Sequence, residues 1–284
     1  MLNLNYIDMS KLRELMLREM HLRHYSPRTK VHYIEALIRL SRYYNQSPAD
    51  LTTDQIKDYL LYLINVKQVS RSTVNQLLSA LKILWEEVLG RPWEDLQIKR
   101  PRLSRELPVV FSKEEVRKLL SMPRNLKHRT CLCLAYSAGL RISELNHLMP
   151  EDIDRSRMQL RIFHGKGPKT RYVPLATLIL GLLEEYQSHY STEKFLFEGL
   201  IPGKPLSTET ISVVFRKALG QSGIKKKATF HTLRHSYATH LLEAGVNLKI
   251  IQNLMGHTSL KTTSIYFHVQ DVSKLQIKSP FDTL

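Results

Sequence analysis

The sequence predicts a mainly α fold with a small antiparallel β-sheet, arranged as two domains. Three observations carry this expectation. The chain has 284 residues, more than a typical single domain. Apolar residues recur at helical spacing through most of it. One pair of short β-patterned runs, residues 159–164 and 171–175, flanks a turn rich in glycine and lysine. The expected boundaries are a helical N-terminal domain over residues 1–98, a basic linker over 99–107, and a second domain with a terminal tail over 108–284.

Residues 9–90 read as four helices, with start signals at Ser26-Pro27, at Thr53-Asp54 and between Ser70 and Ser72. Val74, Leu77, Leu78, Leu81 and Leu84 form one apolar face, and Tyr59, Leu60, Tyr62, Leu63 and Val66 form another. The result is a small bundle. It serves either as a scaffold without a site or, through Arg23, Arg28, Lys30, Arg71 and Lys82, as a surface that follows a phosphate backbone. The linker contains KRPRLSR at residues 99–105, where proline and repeated charge oppose burial. Its Arg100 and Arg102 suit either a solvated tether or phosphate contact.

Ser112 followed by Glu114 and Glu115 opens a helix with a cap and an acidic first turn. A helix over residues 129–138 ends at Gly139, a residue suited to a left-handed cap, and Arg141 comes just before or within the next turn. There it either faces a phosphate or pairs structurally with Glu144, which supports the basic groups rather than doing acid–base work. The two strands are joined by residues 165–170, which carry Lys166 and Lys169. Residues 231–240 read as a helix with His231, Arg234 and His235 on neighbouring positions of one surface, and Leu233 and Tyr237 on an apolar side. His231 and His235 have the i, i+4 spacing of some zinc ligands. The accompanying glutamate is absent, position 232 is threonine, no third ligand is obvious, and Arg234 repels a dication, so no metal or other cofactor is expected. His240 reads as structural or exposed. Asn247 caps a short helix running to Met255, Gly256 ends it, and Thr258 or Ser259 starts another that holds Tyr266. Two short helices about a glycine turn also fit a helix-turn-helix, with Tyr266 merely packing.

Forty-two Lys and Arg stand against 26 acidic residues, a formal charge of +16, which makes a polyanion the expected partner. The excess is shared: 17 basic and 12 acidic residues in 1–107, 25 and 14 in 108–284. Cys131 and Cys133, two apart on a helix, point to different faces and read as packing thiols of a reduced cytosol. No basic stretch leading into a long apolar run occurs at the N-terminus, and no run of about 18 apolar residues occurs anywhere. The expectation is a soluble, cytoplasmic chain without a membrane partner.

Six residues carry chemistry together: Arg141, Lys166, His231, Arg234, His257 and Tyr266. Attack on a phosphodiester builds negative charge on the phosphoryl oxygens, and fixed cationic donors aimed there lower the barrier. Arginine suits this role because its planar fork matches phosphate oxygens in pairs. A lysine near a leaving 5′ oxygen, here Lys166, serves as general acid, and a histidine near the tyrosine, here His231, takes or relays its proton. The tyrosine hydroxyl, with an ordinary pKa of about 10, attacks well only with such help.

In these positions the chain resembles the tyrosine recombinase family, the phage-integrase-like enzymes. The first family arginine matches Arg141 within GLRISEL, the lysine matches Lys166 within GKG, and the paired His and Arg match His231 and Arg234 within HTLRH. His257 after Gly256 matches the third basic position, and Tyr266 within IYFHV, nine positions on, matches the nucleophile. The resemblance is strong over residues 105–270 and general before them. It implies a two-domain DNA clamp, in which a SAM-like core-binding domain precedes the catalytic domain. It further implies a covalent 3′-phosphotyrosine, strand exchange without ATP or metal, and a homo-tetramer on two paired DNA sites. The tail would dock on a neighbouring subunit through Leu275, Ile277 and Phe281. Segments 23–29 and 107–111 look like integron and mobile-element integrases. The interval of 90 positions from Arg141 to His231 is too short for the extra helical insertion of the integron type, which leaves a Xer-like or mobile-element integrase. Two other readings stand beside it: a non-catalytic DNA-binding regulator, and a topoisomerase-like enzyme that relaxes DNA as a monomer.

Overall fold

The computed structural model describes residues 9–93, 107–163, 170–257 and 259–268. The chain divides into two compact units, Met1–Arg105 and Glu106–Leu284.

The first unit contains α1 (Met9–Leu22), α2 (Pro27–Tyr44), α3 (Thr53–Asn65) and α4 (Arg71–Lys82). Side-chain caps start three of them. Ser26 accepts from the Thr29 N–H with Pro27 at the first helical position, and Ser70 accepts from the Thr73 N–H. Thr52, one residue before the predicted signal, forms a reciprocal capping box with Gln55. α4 continues into a π-helical turn, Ile83–Val88. Met16, Met20, Leu40, Ile56, Leu78, Leu81 and Leu84 form the buried centre. All five residues of the first predicted face are buried. On the second, Tyr59 and Leu60 are buried and Val66 is exposed, because Val66 lies beyond the last turn as the C-cap of α3.

The second unit opens with α5 (Lys113–Ser121), held by a Ser112–Glu115 capping box. α6 (Leu126–Ser137) begins earlier than residue 129, because the Asn125 side chain accepts from the His128 N–H. Thr130, Cys131, Leu132, Leu134 and Ala135 are all buried, which makes α6 a helix of the core rather than a surface helix. Burial pushes the Cys131 thiol upward and the Cys133 thiol up to about 11, so both remain unionised. After α7 (Ile142–Leu145) comes a three-stranded antiparallel sheet of β1 (Ile153–Asp154), β2 (Gln159–Ile162) and β3 (Arg171–Pro174). Leu160 sits opposite Val173, and Ile162 opposite Arg171. The two-residue β1 was not foreseen. α8 (Thr177–His189), α9 (Thr208–Ser222), α10 (Phe230–Glu243) and α11 (Leu248–Met255) follow. The helix expected to hold Tyr266 is instead α12 (Leu260–Thr263) followed by a 3-10 segment, Ser264–His268.

α10 is tied to the start of this unit by side chains. The Phe111 N–H donates to Ser236 Oγ at 2.9 Å, and His240 is buried between Tyr136 and Phe111. Its Nε2 lies 3.0 Å from the Phe111 carbonyl, an acceptor, so Nε2 carries the proton and Nδ1 accepts from the Tyr136 hydroxyl at 2.8 Å. Among the described residues no helix is long and apolar enough to cross a membrane.

Candidate active site

The site is assembled around one carboxylate. Arg141 is the N-cap of α7, and Glu144 folds back on it, accepting from the Arg141 backbone N–H at 2.8 Å and from Nη1 at 2.6 Å. Arg171, the first residue of β3, presents Nη1 and Nη2 to the two oxygens of Glu144, each at 2.8 Å. Arg234 from α10 brings Nη1 to 3.7 Å from the same carboxylate. Glu144 is buried, and its hydrogen bonds with Arg171 and Arg141, together with the nearby Arg234 charge, overcome the cost of burial and hold its pKa down to about 2. It therefore stays ionised as a common counter-ion. The structural pairing of Arg141 with Glu144 and a phosphate-facing role are compatible, since the Arg141 side chain remains 30 % exposed.

The same three guanidinium groups grip the end of α11. Arg171 Nε donates to the Leu254 carbonyl at 2.8 Å, Arg234 Nη2 to that of Met255, and Arg141 Nη2 to that of Gly256 at 3.2 Å. These carbonyls are the unpaired, electronegative end of a helix, which favours cations. Gly256, with φ of +58°, turns the chain out of α11 in the left-handed region that glycine adopts without strain. Arg234 Nη1 also donates to the Gly139 carbonyl at 2.7 Å, where φ is +59°. Burial, and then Arg141, push the Arg234 guanidinium down to about 9, leaving it cationic at neutral pH.

The turn after Gly256 delivers the last two predicted residues. His257 Nδ1 lies 2.9 Å from Thr263 Oγ1, and its ring stacks on Tyr266 with centroids 6.3 Å apart at 20°. Tyr266 is buried in a small apolar cluster with Ala238, Leu242, Ile251 and Met255 from α10 and α11. Burial raises its pKa, opposed by the positive fields of Arg234 and Arg141. Burial followed by the same two arginines lowers His257 to about 3, so it is a neutral hydrogen-bonding group at neutral pH.

Arg141, Arg234, His257 and Tyr266 are thus brought together. His231 lies on the exposed surface of α10, its ring edge-on to His235 at 4.7 Å. Partial burial and then Arg234 lower its pKa. The expectation that His231 handles the tyrosine proton is not matched by a contact among the described residues: the histidine that meets the Tyr266 hydroxyl is His235, one helical turn on, with Nδ1 at 3.2 Å. Lys166, Lys169, Arg100, Arg102 and the tail residues Leu275, Ile277 and Phe281 lie outside the described residues. Arg171 and His235 were given no role from sequence.

In the first unit, Arg23 pairs with Glu87, Lys82 lies 3.5 Å from Glu86, Arg28 donates to His32 at 3.4 Å, and Lys30 Nζ lies 3.0 Å from His21 Nδ1. Arg71 is exposed at the start of α4. Arg23 and Lys82 therefore already have carboxylate partners. A groove of about 650 Å³ between α2, α3 and α4 sets Arg39, Arg42 and Lys67 beside Tyr43, Tyr59 and Tyr62. Sequence reasoning did not single it out, because its residues come from three helices.

Comparison with known proteins agrees with this architecture. Residues 110–272 match the model of the phage integrase family, and residues 12–95 match the phage integrase N-terminal SAM-like domain. A putative integrase/recombinase, y4qK, of Sinorhizobium fredii is 35% identical over 277 residues, covering 97% of this chain and 90% of that protein. Tyrosine recombinase XerC of Chlamydia muridarum is 39% identical over 241 residues, covering 80% of this chain and 76% of its own length. In fold, the chain matches the crystal structure of the XerH site-specific recombinase bound to a palindromic difH substrate. The TM-score is 0.73 at 21% identity, covering 94% of this chain and 83% of that one. With a family model spanning residues 110–272 and relatives at this identity over most of their length, the chain belongs to the phage integrase family, as a Xer-like tyrosine recombinase.

Proposed function

We propose that this recombinase cleaves and rejoins DNA at a specific site through a covalent 3′-phosphotyrosine on Tyr266. The observation that carries the assignment of residues is the convergence of Arg141, Arg234 and Tyr266 on one turn, with the two guanidinium groups oriented by a shared carboxylate. In this reading Tyr266 Oη attacks the scissile phosphate. Arg141 and Arg234 stabilise the charge that develops on the phosphoryl oxygens, and His257 adds a neutral hydrogen-bond donor. Lys166 protonates the leaving 5′ oxygen. Arg234 and Tyr266 are each 1% exposed.

The basic excess of both regions supports contact with duplex DNA by residues 1–98 as well as 108–284. Arg23, Arg28, Lys30, Arg71 and Lys82, with Arg100 and Arg102 of the linker 99–107 and Lys169, are the proposed phosphate contacts. The assembly is a homo-tetramer on two paired sites, each tail docking on a neighbour. The chain acts in the cytoplasm.

Covalent capture tests the assignment. Nicked duplexes of random sequence are incubated with the protein and denatured, and DNA still attached to protein is sequenced. The wild-type chain is expected to enrich one inverted-repeat site, with the adduct on the peptide containing Tyr266, and Tyr266→Phe is expected to capture none while still binding the site. A denaturation-resistant adduct formed by Tyr266→Phe overturns the assignment.

A further inference from the structure

Tyr266 is held by histidines in two different ways. His257 stacks on the phenol ring with its Nδ1 turned to Thr263, and it makes no hydrogen bond to the phenolic oxygen among the described contacts. His235 instead directs Nδ1 at the hydroxyl from α10, 3.2 Å away, with its ring tilted 56° to the phenol. We propose that His235 is a catalytic residue of this chain, taking the phenolic proton of Tyr266 through Nδ1 during strand cleavage and returning it on religation. The inference rests on the reading of Tyr266 as nucleophile.

Geometry selects His235 among the three histidines on this side of the site. One helical turn separates it from His231, whose ring packs against it from the exposed side without a hydrogen bond to Tyr266 among the described contacts. The phenol needs a partner of this kind. Burial raises its pKa more than Arg234 and Arg141 lower it, so a standing tyrosinate is not available at neutral pH and the proton must leave within the step. The titratable and charged groups around His235 are His231 and Arg234 on its own helix, and Tyr266 and His257 from the segment packed on it. Burial first, then His231 and Arg234, lower its pKa to about 4, which leaves the ring neutral with a lone pair to offer.

The step balances. The O–H bond of Tyr266 breaks with the proton passing to Nδ1, while its electron pair forms the Oη–P bond. The P–O5′ bond breaks, and its pair stays on O5′, which takes a proton from the general acid. Nothing is oxidised or reduced. The imidazolium forms beside Arg234 only as negative charge moves onto the phosphate held by the same arginine, so the local charge stays balanced through the reaction. Religation reverses each transfer.

The test uses the full-length chain and the site recovered by covalent capture, with cleavage followed on a nicked duplex from pH 5.5 to 9. Wild type is expected to be flat over this range. His235→Gln, which retains an acceptor but cannot take a proton, is expected to lose about 100-fold at pH 7. It should recover about tenfold per pH unit towards pH 9, as hydroxide replaces the missing base. A second arm uses a 5′-bridging phosphorothiolate, whose sulfur leaves without a proton. That substrate should rescue Lys166→Ala and leave His235→Gln slow. A profile for His235→Gln lowered equally at all pH values, or a rate within threefold of wild type, assigns His235 to packing and overturns the proposal. Each rate is normalised to the folded fraction measured at that pH, so loss of folded protein does not alter the profile shape. Failure of the Tyr266→Phe control would instead remove the nucleophile assignment, and the two failures are therefore distinguishable.

Discussion

Glu144 and Arg171 meet as a two-pronged pair, each carboxylate oxygen 2.8 Å from a terminal guanidinium nitrogen. Arg171 opens β3, whereas Glu144 lies in the short helix α7 capped by Arg141. The pair therefore joins the sheet to the candidate phosphate-binding arginines. It also fixes the rotamer of the one anion that Arg141 and Arg234 share, and an arginine oriented in advance loses less freedom when it meets a phosphate.

Glu144→Gln should destabilise the folded chain by about 3–5 kcal/mol, because it leaves buried guanidinium groups without their counter-ion. The pH response follows from the lowered pKa. The unfolded carboxyl binds its proton near 4.5 and the folded one near 2, so the stabilisation is fully present above 4.5 and is lost as pH falls toward 2. Denaturant midpoints across pH 2–7 check both statements: wild type should decline through that window, and Glu144→Gln should lack that part of the decline.

Arg171→Lys keeps the charge and loses both the fork to Glu144 and the bond to the Leu254 carbonyl. Cleavage of the captured site is expected to fall about tenfold or more through a slower chemical step, with DNA affinity within threefold. Single-turnover rates set against gel-shift titrations separate the two. Equal losses in affinity and rate would remove the positioning role.

Gly139→Ala combines two faults. The residue has φ of +59°, and an added Cβ would lie 2.3 Å from a ring carbon of Tyr237. A loss of more than about 2 kcal/mol is expected in thermal melts, with cleavage impaired because the Gly139 carbonyl anchors Arg234. Pairing it with Tyr237→Ala should restore only part of the stability, since the backbone strain remains.

His240→Leu breaks the relay from Tyr136 to the Phe111 carbonyl and leaves a buried hydroxyl and carbonyl unpaired, at a cost of about 2–4 kcal/mol. Tyr136→Phe should cost less, about 1 kcal/mol, because only one bond is lost. Urea midpoints at pH 7 check the ranking.

Much of this arrangement was legible in the chain because its chemistry is carried by residue type in a fixed order. Arg141, Arg234, His257 and Tyr266 could be named without coordinates, and caps such as Ser26, Ser70, Ser112 and Asn247 announced their helices through a local hydrogen bond. Arg171 could not be found this way. An arginine at the start of a short strand reads as a solvated edge residue until folding sets Glu144, 27 positions away, against it. His235 was visible only as a neighbour of Arg234, since the hydroxyl that it meets comes 31 positions later. β1 escaped because two residues carry no periodicity, and its partner strand alone defines it. The segment holding Tyr266 was expected to be a full helix, whereas it tightens into a 3-10 turn that packs the phenol against α10 and α11.

Three consecutive carbonyls, those of Leu254, Met255 and Gly256, each engage a different arginine, and those arginines arrive from three separate elements. Such a ratchet reads chain length rather than side-chain identity. Adding or deleting one residue there would slide every carbonyl to the wrong guanidinium at once and displace Tyr266. Conservative apolar substitutions at residues 254–255 should consequently be far better tolerated than any change in the number of peptide units, an asymmetry that a library of point variants and single-codon indels would expose.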